Sequence, residues 1–62
     1  MNEYDVILKE IDEQVNNLQE ILGTGRCKDF SEYQNTCGRI SGLLSVRRYI
    51  QDLQKHMENS DE

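Results

Sequence analysis

Sixty-two residues, with seven Lys and Arg against twelve Asp and Glu, carry a net charge of −5 and have room for one small domain. The acidity argues against a phosphate-backbone binder, and one histidine with two cysteines leaves little for a catalytic or metal centre. The longest apolar run, Val6-Ile7-Leu8, is far short of a bilayer span, and the acidic start Met1-Asn2-Glu3-Tyr4-Asp5 is unlike a signal or transit peptide.

The first third is regular. Tyr4, Leu8, Ile11, Val15, Leu18 and Leu22 are spaced alternately four and three apart, the heptad seam that packs one helix on another. Glu3, Asp5, Glu10, Asp12, Glu13 and Glu20 stand between them as a solvated acidic face. Asn2 suits an N-cap, with Asp5 three residues on, and Gly23 suits a left-handed C-cap. A first helix is therefore predicted over about residues 3–22.

Residues 23–28, Gly-Thr-Gly-Arg-Cys-Lys, break the pattern as a turn. Asp29 reads as an N-cap with Glu32 as its capping-box partner, and a longer second helix is predicted over about residues 30–57. The polar tail, 58–62, is expected to fray. A short connection between two long helices favours antiparallel neighbours. The fold class is all-α: one antiparallel helical hairpin over residues 1–62 with coiled-coil-like packing.

The second helix carries two apolar rows. Phe30, Tyr33, Cys37, Ile40 and Leu44, leading to Arg47, form one; Leu43, Val46, Ile50, Leu53 and Met57 form the other, roughly 140° away. Folding the chain about its turn sets Leu22 opposite Phe30, Leu18 opposite Tyr33, Val15 opposite Cys37, Ile11 opposite Ile40 and Leu8 opposite Leu44. Tyr4 then lies beside Arg47, and Arg47 and Arg48 come near Glu3 and Asp5. The second row has no mate in this register, and Leu53 and Met57 lie beyond the start of helix 1. Burial of each of its five residues is worth on the order of 1.5–3 kcal/mol. That row is therefore expected to pack on another chain.

Gly38, Ser41, Gly42 and Ser45 add a stripe of small residues. A glycine inside a helix costs about 1 kcal/mol relative to alanine, and close approach of another backbone would offset it. The expected partner-binding set is Gly38, Gly42, Leu43, Val46, Ile50, Leu53 and Met57. Charge is segregated: residues 1–25 carry −5, residues 26–48 carry +3 and residues 49–62 carry −3. Arg39, Arg47 and Arg48 are candidates for contact with an acidic partner; Arg is enriched at interface hot spots. Cys37 reads as a small core residue, and Cys27 lies in the turn. A disulfide between them is neither forbidden nor favoured, and with His56 they match no metal-ligand spacing.

The run from Asp29 onward carries Phe30, Glu32, Tyr33, Cys37-Gly38, Ile40, Gly42-Leu43, Ile50 and Asp52-Leu53 before an acidic end. This pattern, covering about half the chain, resembles a set of short helical proteins encoded by tailed bacteriophages. The resemblance implies a phage origin and a virion or morphogenesis role, and it assigns no catalytic residue. The expectation is a non-enzymatic, cofactor-free interaction protein. It would be a multi-copy structural or accessory component of the head or head–tail region, binding itself or a larger virion protein. The alternative is an acidic regulator or inhibitor of a host enzyme. Direct DNA binding would need a cationic face, which only Arg39, Arg47 and Arg48 offer. The expected location is the virion or the host cytoplasm, neither secreted nor transmembrane.

Overall fold

A computed structural model describes residues 2–59 as two helices, α1 (Glu3–Gly23) and α2 (Phe30–Asn59), packed side by side as an all-α hairpin. The molecule measures 51 × 18 × 12 Å. Of the predicted tail, Glu58 and Asn59 continue α2, and residues 60–62 lie outside the described residues.

Short polar side chains set the helix ends. The Asn2 side chain accepts from the Asp5 N–H at 2.9 Å, and the Asp5 carboxylate accepts from the Asn2 N–H at 3.3 Å. This reciprocal cap satisfies two otherwise orphaned donors. At the other end α1 continues through Gly23. The Thr24 N–H and hydroxyl both donate to the Glu20 carbonyl, at 2.9 and 2.8 Å. The left-handed position falls on Gly25, with φ of 70°, and not on Gly23. Its N–H reaches the Leu22 carbonyl and that of Arg26 reaches Ile21, the double closure of a Schellman turn. At the start of α2, Asp29 accepts from the Glu32 N–H at 2.8 Å. Glu32 accepts from Lys28, one residue before the cap, at 3.4 Å, so the box is not closed on Asp29 itself.

The register differs from the expected one. Arg47 donates through Nε to Asp12 at 2.6 Å, with a second, longer contact from Nη2 at 3.4 Å. Gln54 donates to Asp5 at 2.9 Å and to Asn2 at 3.3 Å. Both pairings carry the same offset between the helices. That offset puts Leu22 level with Cys37 instead of Phe30, a displacement of one heptad, or about 10 Å. Arg47 accordingly meets Asp12 and not Tyr4, Glu3 or Asp5. The start of α1 reaches Gln54, so Leu53 is not beyond it.

The connector explains the displacement. It does not turn tightly: Cys27 lies against Thr36, Sγ to Oγ1 3.9 Å, two turns into α2. The first two turns of α2 therefore flank the connector and overhang the end of α1. This exposes two residues expected in the seam, Phe30 at 69% and Tyr33, whose rings stack on each other with centroids 6.2 Å apart.

The core is thin. Among the described residues the buried apolar side chains are Ile11, 7% exposed, and Val15, 6%. Leu8, Leu18, Leu22, Cys37 and Ile40 are half-buried, and Leu44 is exposed, contrary to expectation. The row of α2 that turns inward is Thr36, Ile40, Leu43, Arg47, Ile50 and Gln54. It falls between the two predicted rows and takes residues from each. Thr36 is 8% exposed, its hydroxyl donating to the Glu32 carbonyl at 2.9 Å, so its polar group is satisfied inside the helix.

Candidate interaction face

The rotation of α2 leaves apolar residues on both flanks of its inward row. On one flank stand Phe30, Tyr33 and Leu44. On the other stand Gly42, Val46, Tyr49 and Leu53, within a stripe about 60° wide. Tyr49 is 66% exposed, and Val46, Leu53 and Met57 are exposed with it. The apolar residues of α2 are thus spread round the helix, whereas those of α1 gather on one side.

The Gly42 flank is also concave. An open groove of about 580 Å³ runs between the helices there, with Leu18, Leu43 and Val46 as its apolar lining, Gln14 and Asn17 on the α1 rim and Arg39 on the α2 rim. Gly42 contributes no side chain to this wall, and a Cβ built on it meets nothing within 4 Å. The same holds for Gly38. Neither glycine is required by packing inside the hairpin, so the expected close approach of a backbone is not made by α1.

The expected partner-binding residues therefore divide. Gly42, Leu43 and Val46 line the groove, and Leu53 and Met57 continue its exposed edge. Gly38 is exposed beside it, and Ile50 is half-buried on the inward row. Tyr49 was missed by the heptad count, because it stands next to Ile50 and only the true rotation of α2 brings it to the surface stripe. Thr36 and Gln54 were missed because an apolar count passes over polar residues that pack.

The three arginines have different surroundings. Arg47 lies along the inward row and is held by Asp12, which raises its affinity for its proton above the usual arginine value. Its side chain and that of Asp12 remain 32% and 47% exposed, so solvent screens the pair and it acts on register more than on stability. Arg39 and Arg48 are exposed. The carboxyl of Asp5 is held below its ordinary value of 3.8, first by the Gln54 amide and then by the Asn2 N–H. Cys27 and Cys37 are both free thiols and half-buried. Among the described residues no helix is long and apolar enough to cross a membrane.

No protein family, curated protein or solved structure matches the chain.

Proposed function

We propose that the chain is a non-enzymatic helical interaction protein that uses the Gly42–Leu53 face to pack against a helix of another protein chain. One observation carries this. A hairpin that buries two apolar side chains among its described residues displays a continuous apolar stripe, Val46, Tyr49 and Leu53, beside a groove left open by a glycine. Exposed apolar surface of this kind marks protein contacts on small domains. A two-helix unit has little core of its own, and a third helical element would supply the missing side.

The setting is a tailed-phage particle, with the chain as a small multi-copy structural or accessory component bound to itself or to a larger virion protein. The sequence pattern from Phe30 to Leu53 supports it. A second reading is favoured by the exposed acidic residues Glu3, Glu10, Glu13 and Glu20 of α1: a regulator that occupies a basic site on a host enzyme.

Mass spectrometry of purified particles tests the setting. The chain is expected in particles at a fixed copy number, and Gly42→Leu is expected to lower its incorporation. Absence from particles, with stable co-purification of a host enzyme that survives Gly42→Leu, would replace the first reading by the second.

A further inference from the structure

We infer that the open face takes one amphipathic helix of a different protein, about four turns long, acidic where it crosses Arg39 and basic where it crosses Glu10 and Glu3. The inference rests on the reading of that face as a protein contact and specifies the chemistry of its partner.

The face is longer than its deepest part. On its α1 edge Glu3, Ile7, Glu10, Gln14 and Asn17 are spaced four, three, four and three, and so form one row along the helix. The offset fixed by Arg47 with Asp12 and by Gln54 with Asp5 puts Asn17 level with Gly42 and Glu10 level with Tyr49. A second depression, of about 520 Å³, lies over Val6, Ile7 and Glu10 and reaches the buried Ile11, carrying the face toward the start of α1. Leu18, Leu43 and Val46 at one end and Ile7 and Leu53 at the other keep it apolar. From Arg39 to Leu53 it runs roughly 21 Å, the length of about four helical turns. Both walls are helices whose backbone groups are already paired. An extended segment laid between them would find few backbone partners, whereas a helix needs none.

The two ends of the face differ in charge. Arg39 is exposed on the α2 edge at the end nearer the connector, and among the described residues its guanidinium has no ion-pair or hydrogen-bond partner. The facing α1 edge, Gln14 and Asn17, is neutral. Glu20 is level with Arg39 but points outward from α1, roughly 160° from the Ile11 and Val15 side. Glu32 belongs to the overhang, past the end of α1. At the opposite end Glu10 and Glu3 are exposed along the edge row, and the Gln14 amide donates to the Glu10 carboxylate at 3.3 Å. Lys9 and Glu13 border the second depression on its outer side and offset one another, so that end stays acidic. A helix with carboxylates at one end and cations at the other meets both ends with opposite charge, and a helix of one sign is repelled at one of them. A second copy of α2, reversed about the stripe, would bring Arg47 and Arg48 onto their counterparts, so the pattern is asked of a different chain.

Two synthetic helical peptides of about fifteen residues test this. They share one apolar face. One carries Glu at one end and Lys at the other, and the second carries Gln at all those positions. Followed by fluorescence anisotropy at low salt, the dipolar peptide is expected to bind about fivefold more tightly than the neutral one. In about 1 M salt the preference should vanish. Arg39→Gln should abolish it, whereas Arg48→Gln, the same change on the opposite side of α2, should leave it intact. Both arginines are exposed, so circular dichroism should show the hairpin unchanged in each variant. Equal affinity for the two peptides, lost for both in Gly42→Leu, would overturn the charge pattern while upholding the face as a protein contact. Binding of neither peptide would overturn the helix as occupant. Sedimentation equilibrium of the unaltered chain alone should give a monomer; a dimer broken by Gly42→Leu would overturn the different protein in favour of a second copy.

Discussion

Gly42 is the residue on which the functional reading turns, and its two roles predict opposite outcomes. Inside the hairpin nothing lies within 4 Å of the position its Cβ would take. Gly42→Ala should therefore raise the stability of the isolated hairpin by about 1 kcal/mol, through helix propensity alone. Thermal melting in dilute solution measures this, and a fall in melting temperature would mean that the site is already crowded. Asp5 makes a second prediction at this scale. Its folded-state affinity for a proton is lowered by Gln54 and Asn2, so its contribution is fully present above the ordinary aspartate value of 3.8 and is lost as pH falls through the lower, folded value. Melting temperature should drop as pH falls below the ordinary aspartate value of 3.8, and that of Asp5→Asn should drop less over the same descent. Equal acid sensitivity in the two proteins would place the titrating group elsewhere.

The helices themselves were largely legible, and their mutual setting was not. Asn2, Asp5, Asp29 and the Gly-rich turn announce the helix ends through side-chain chemistry that is local, so the boundaries agree to within about two residues. Register is a tertiary quantity. The most apolar row of α2, through Phe30, Tyr33 and Leu44, was the natural partner for α1, yet the row that turns inward includes Thr36, Arg47 and Gln54. Each of these packs because its polar end is satisfied: Thr36 by its own helix, Arg47 by Asp12 and Gln54 by Asp5. The length of chain used by the connector, with Cys27 folded against Thr36, was equally invisible to a periodicity count. Adjacent leucines test the result. Leu43→Ala should cost about 2 kcal/mol and Leu44→Ala less than about 1 kcal/mol, read from urea melts. A reversed order would restore the seam through Leu44.

For the whole molecule, the hairpin and its outer face should fail separately. Ile40→Asp places a carboxylate on the inward row and should unfold the protomer, because desolvating that charge costs several kcal/mol in a chain with little stability to spare. Leu53→Asp alters the exposed stripe and should leave circular dichroism in dilute solution unchanged while removing the contact with a partner chain. Equal loss of helix in both variants would show that the two faces form one cooperative core. The central claim is that another protein chain covers what α1 and α2 leave open between Gly42 and Leu53. The most direct measurement is the amount of the chain in purified particles, compared between the unaltered protein and Leu53→Asp at equal expression. The account predicts that the unaltered chain is present at a fixed copy number and that Leu53→Asp is lost from the particles while keeping its helices. Equal amounts of both in the particles would contradict it.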